Sequence, residues 1–128
     1  MRGRITRVWL SMITVSDLEH ALTFYREVLG LPLALDGRQF NHIEVGPDEP
    51  LAKIGIEATG KQSTRRKRTG IVLDTDDIYA LYDRLTQEGV VFTLPPTKMP
   101  WGGIVANFLD PDKNELQVVQ DPAHYSRD

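Results

Sequence analysis

The stretch "DLEHALTFYREVLGL" beginning at Asp17 is answered by "DDIYALYDRLTQEGV" beginning at Asp76. Each follows a β-rich run, carries apolar residues at helical spacing, and reaches a glycine thirteen positions on, Gly30 and Gly89. In the first copy Leu18, Ala21, Leu22, Tyr25 and Leu29 share one helical stripe; in the second Ile78, Leu81, Tyr82 and Leu85 do. Glycine at the end supplies the left-handed residue that closes a helix. "SDLE" has the form of a capping box, so Ser16 is the expected cap of the first helix. The flanking elements repeat as well. The run Ile5–Val15 precedes the first helix, and β-like runs at 33–36, 40–46 and 51–58 follow it, with turns expected at Asp36-Gly37 and at Gly46–Pro50. Thr69–Thr75 precedes the second helix, and runs at 90–93, 103–109 and 114–120 follow, the last two joined by "DPDKN" (Asp110–Asn114). The order is βαβββ–βαβββ. A chain built twice is the economical reading.

With 128 residues the chain has one domain's worth of material. It divides into a first module at about 5–60, a basic linker at 61–68, a second module at about 69–121 and a short tail at 122–128. The absence of cysteine excludes disulfides, thiolate metal sites and a cysteine nucleophile, and fits a reducing compartment such as the cytoplasm. No signal peptide is expected, because the apolar run near the start is broken by Ser11 and Thr14 and lacks a small-residue cleavage site. No apolar run approaches a membrane span. A net charge of −3 gives no general attraction to nucleic acid or to an anionic membrane. One basic run, "KQSTRRKR", reads as a solvated linker or as an anchor for an anion.

Three segments carry a resemblance: "VSDLEHALTFYREVLGL", "TDDIYALYDRLTQEGV" and "FLDPDKNELQVV", with "PWGG" (Pro100–Gly103) beside them. The chain resembles the vicinal-oxygen-chelate superfamily, the group of glyoxalase I, bleomycin resistance proteins and extradiol dioxygenases. The resemblance implies an α+β fold in which two tandem βαβββ modules form a curled eight-stranded mixed sheet around a concave pocket. It also implies a homodimer. The reaction is left open, since one scaffold hosts many chemistries.

Metal-dependent members hold a divalent ion from the first and last strands of each module. At the positions the resemblance points to, this chain has Leu10, Gly70 and Gln117, with Glu57 at the fourth and Gly55 as the competing alignment. Leucine and glycine offer no donor, and an amide brings no charge, so no metal and no other cofactor is expected. Glyoxalase I and extradiol chemistry are disfavoured accordingly. Strand alternation puts Leu10, Met12, Phe40, His42, Glu44, Glu57, Glu115 and Gln117 on the concave side. His42 and Glu57 are the candidates for acid–base work. Leu10, Met12, Phe40 and Trp101, with Glu115 and Gln117 as polar points, are the candidate ligand contacts. Trp101, in the Pro- and Gly-rich "TLPPTKMPWGG", is read as a pocket rim or as a wedge in the core or a dimer contact, and Trp9 as core. The favoured function is binding or sequestration of a small organic molecule. The alternative is an enzyme with a diverged site, moving a proton next to a carbonyl in a lyase- or isomerase-type reaction, metal-free or with a relocated metal.

Overall fold

In a computed structural model, which describes residues 3–48 and 52–124, the repeat is realised as two four-stranded mixed sheets. Module one runs β1 (Leu10–Val15), α1 (Leu18–Leu22), β2 (Leu33–Gly37), β3 (His42–Val45) and β4 (Lys53–Ala58). Module two runs β5 (Lys67–Asp74), α2 (Ile78–Gln87), β6 (Phe92–Lys98), β7 (Ile104–Leu109) and β8 (Asn114–Gln120). The sheet orders are β1-β4-β3-β2 and β5-β8-β7-β6. In each, the strand before the helix pairs in parallel with the last strand of its module, and the other pairings are antiparallel. No helix among the described residues is long and apolar enough to cross a membrane.

Alternation explains the core. Ile13 and Val15 on β1, Ile43 and Val45 on β3, and Ile56 on β4 are buried, as are Ala106 and Phe108 on β7 and Leu116 and Val118 on β8. All of them join one cluster with Leu22, Phe24, Tyr25 and Ile78 from the helical segments. The helix-facing sides of both sheets therefore share a single core, and the opposite faces are left open. Gly30 and Gly89 close the helices at φ +83° and +88°, as the sequence predicts. α1 runs on into a π-helical stretch (Thr23–Val28) before that stop.

The "DPDKN" turn forms as expected and also joins the modules. Asp110 Oδ1 accepts from the amides of Asp112 and Asn114, and Oδ2 accepts from Asn114 Nδ2 and, at 2.7 Å, from the buried Tyr25 hydroxyl. Ser16 N donates to Asp112 Oδ1, and Asn114 Nδ2 donates to Thr14 O.

Several expectations are corrected. The cap of α1 is Asp17, whose carboxylate accepts from His20 N, because the residue expected to cap, Ser16, is tied by its amide to Asp112. Strand β1 starts at Leu10 rather than near Ile5. Trp9 therefore precedes the strand and is 71% exposed instead of core. The first hairpin does not turn at Asp36-Gly37, which stay paired in β2; it turns through a 3-10 segment at Arg38–Phe40 that ends on left-handed Asn41. The Asn41 side chain fixes that turn by bonding both the amide and the carbonyl of Ala58. Phe40 consequently sits on the turn, 79% exposed, and not on the concave strand face. Strand β6 continues through Pro95 and Pro96, which an edge strand with register shifts tolerates. The basic linker is shorter than expected, because Lys67 and Arg68 already belong to β5. The turn expected at Gly46–Pro50 and the tail lie partly outside the described residues.

Candidate functional site

The predicted site residues fall into two groups, one on the open face of each sheet. On the first, the register sets Met12 beside Gly55 and Gly55 beside Glu44, with Leu10 beside Lys53 and Thr14 beside Glu57. A Cβ on Gly55 would lie 2.3 Å from Met12 Sδ, 3.0 Å from Leu10 Cδ1 and 3.2 Å from His42 Cε1. Glycine here lets those three side chains lie across bare backbone. His42 Nε2 is 2.8 Å from Glu44 Oε2, and Glu44 is only 7% exposed. Glu57 is exposed.

The second open face carries a cavity of about 430 Å³, lined by Arg68, Thr69, Gly70, Ile71, Val72, Asn107, Glu115, Leu116 and Gln117. It exists because β5 is bulged. Arg68 pairs with Glu115 and Val72 with Gln117, so β5 fits four steps against two of β8. Thr69 stitches the bulge: its hydroxyl donates to Glu115 O and accepts from Ile71 N. Gly70 lies at the centre with φ +74° and nothing within 4 Å of where a Cβ would be. Gly70→Ala is therefore expected to cost about 1–2 kcal/mol from backbone conformation alone, despite the empty space. Urea unfolding should show the midpoint falling with the slope unchanged.

Glu115, 8% exposed, anchors the polar side of the cavity. Thr93 Oγ1 donates to its Oε2, while Arg66 Nε and Arg68 Nε stand 3.9 and 3.7 Å from its Oε1. Gln117 Nε2 donates to Asn107 Oδ1 across the β7–β8 pair at 3.0 Å. That bond leaves the Asn107 amide group and Gln117 Oε1 for a guest.

Of the expected ligand contacts, Glu115 and Gln117 line the cavity. Leu10, Met12, His42 and Glu57 belong to the other sheet and do not. Trp101 sits on the β6–β7 turn, exposed, with its ring over Gly103, and is likewise absent from the lining. Arg68 comes from the basic run read as a linker or an anion anchor, whereas Asn107 in the lining and Thr93 behind Glu115 are additions of the structure. Asn107 has a signal, as the one polar residue inside "IVANFL", and the structure places Arg68 of the basic run on β5.

The divalent ion implied by the resemblance does not fit these residues. Leu10 has no donor, Gly70 has neither side chain nor a backbone conformation that welcomes one, and the Gln117 amide oxygen brings no charge to offset a dication. Among the described residues, no three His, Cys, Asp or Glu side chains group so as to hold a metal ion.

The sequence model of the Glyoxalase/Bleomycin resistance protein/Dioxygenase superfamily matches residues 6–118. A superfamily member from Sphaerobacter thermophilus is 33% identical, with 90% of this chain and 98% of that one aligned at a TM-score of 0.74. TnmS3, an antibiotic binding protein from Streptomyces sp. CB03234, is 31% identical over 93% of this chain and 98% of its own, TM-score 0.75. A probable lactoylglutathione lyase from Synechocystis sp. is 29% identical over 120 residues, 86% of this chain and 92% of the relative.

Proposed function

Because the chain belongs to the glyoxalase/bleomycin resistance protein/dioxygenase superfamily, we propose that it binds and sequesters a small organic molecule in the cavity over β5, β7 and β8 without transforming it. The observation that carries this reading is the pairing of a ready cavity with side chains unfit to grip a metal. The volume, about 430 Å³, is in the usual range for small-molecule sites. Val72 offers apolar surface, and the Asn107–Gln117 amide pair with Arg68 offers orienting polar groups. The likeness to an antibiotic binding protein at 31% identity supports the same direction.

The working unit in this proposal is a homodimer. The two sheets share one core through their helix-facing sides, so Met12, Leu35 and Val72 are left exposed. A second copy would cover such apolar strand faces and close the mouth of the cavity. Sedimentation should give twice the 14.5 kDa chain mass, and Val72→Glu should shift the protein toward monomer. A monomer at high micromolar concentration would overturn this assignment.

One observation favours a second reading, proton transfer: the imidazole of His42 is held by the buried carboxylate of Glu44, an arrangement that suits a general base. A thermal-shift screen with metabolites and aromatic compounds separates the two. A binder at a hundred times its Kd should add about 2.7 kcal/mol of stability. The binding reading expects that the hit is recovered unchanged, that His42→Ala retains affinity, and that untagged protein carries well under one equivalent of Zn, Ni, Fe or Mn. Turnover abolished by His42→Ala would establish the alternative.

A further inference from the structure

We infer that the occupant of this cavity is a flat organic monocarboxylate, held by the outer guanidinium edges of Arg68 and Arg66. The inference rests on the reading of the cavity as a ligand site and adds the charge and shape of the ligand.

Charge comes first. Both arginines turn the same atom, Nε, toward Glu115 Oε1, at 3.7 and 3.9 Å, distances of ion pairing rather than hydrogen bonding. Among the described residues neither guanidinium has another partner, so the Nη1/Nη2 edge of each is available. That edge is the one that meets a carboxylate with two parallel hydrogen bonds. Glu115 is not available to compete for a guest. It is buried, with Oε2 bonded by Thr93 and Oε1 facing the two arginines. Its charge cancels one of the two cations, which leaves a single positive charge at the rim. One anionic group balances that; a dianion would carry an excess, and a cation would meet two guanidiniums.

Shape follows from the bulge. Gly70 lines the cavity with no Cβ and with open space above it, so a planar group can lie directly on the backbone of β5. Val72 flanks that floor, and the Asn107–Gln117 amides present a donor and an acceptor in the adjoining wall. A flat apolar body with one carboxylate and an optional polar substituent satisfies every group in the lining.

Three probes of one shape and different charge test this: 2-naphthoate, 2-naphthamide and 2-naphthylmethylamine, titrated by calorimetry and thermal shift. The naphthoate should bind at least about ten-fold more tightly than either analogue, as a charge-assisted pair predicts. Arg68→Gln should weaken it by about ten-fold or more, and Arg66→Gln should weaken it too. Arg65→Gln, the same charge change at an exposed neighbour, should alter it by no more than about two-fold. The arginines are exposed, and the unliganded melting temperature checks that each variant stays folded. Binding of the amide or the amine as tight as that of naphthoate would overturn the charge assignment while leaving the cavity a ligand site. Equal effects of Arg68→Gln and Arg65→Gln would do the same. Failure of all three probes to bind would sink the cavity reading together with this inference.

Discussion

Replacing Asp110 by alanine is expected to lower the melting temperature by about 10–20 °C, from a loss of about 3–5 kcal/mol. The carboxylate accepts four hydrogen bonds, from the amides of Asp112 and Asn114, from Asn114 Nδ2 and from Tyr25 Oη. Alanine removes all four acceptors and leaves the Tyr25 hydroxyl buried without a partner, which is the expensive outcome. It also loosens the turn through which Asp112 holds Ser16 and Asn114 holds Thr14. Tyr25→Phe should cost less, about 1.5–3 kcal/mol, because only one donor is lost. The tyrosine gives an independent readout. Burial first, and the Asp110 charge second, push its phenol well above the ordinary value of 10.0. The unfolded chain releases that proton near the ordinary value, and the folded chain only well above it. The stability attached to the neutral phenol is therefore complete below about pH 10 and declines as the pH rises further. Ultraviolet titration should find one of the four tyrosines resisting ionisation until the protein unfolds, and Tyr25→Phe should remove that component. A Tyr25 that titrates normally in the folded protein would contradict the network.

The second large effect is expected for Phe108→Ala, at about 3–5 kcal/mol. Phe108 is fully buried on β7, and its ring centroid lies 6.5 Å from that of Phe24 in the first module and 5.5 Å from that of Phe92 in the second. Phe92 in turn meets Tyr82 of α2 at 4.7 Å. This aromatic line crosses between modules, so its interruption should destabilise both at once. Heat or urea should still give one cooperative transition, displaced downward, with far- and near-ultraviolet circular dichroism coincident. Two separated transitions would mean that the repeated units are stable alone and that the common core is incidental.

Much of this architecture is legible along the chain because it follows from local periodicity. The apolar stripes ending at Gly30 and Gly89 require helices that stop there, and "DPDKN" requires a turn, whatever surrounds them. Alternation also tells which residues share a face: His42 bonds Glu44 on one sheet, and Glu115 and Gln117 line the cavity on the other. Errors cluster where a distant partner decides. Ser16 loses the cap to Asp17 because Asp112, 96 residues away, takes its amide. Phe40 leaves its expected strand because Asn41 docks on Ala58. Pro95 and Pro96 stay in a strand because β6 is an edge, a property of strand order rather than of composition.

The sequence alone determined that there would be two like modules, where their helices end, and that Leu10 and Gly70 could grip no cation. Only the tertiary structure decided that the open faces divide the candidate residues between two sheets, and that a bulge at Gly70 hollows one of them beside Arg68. The reason is physical. Periodicity records which side of an element is apolar, but it is blind to which other element lies opposite. A bulge, a shared core and an arginine paired to a buried carboxylate are all properties of that opposition.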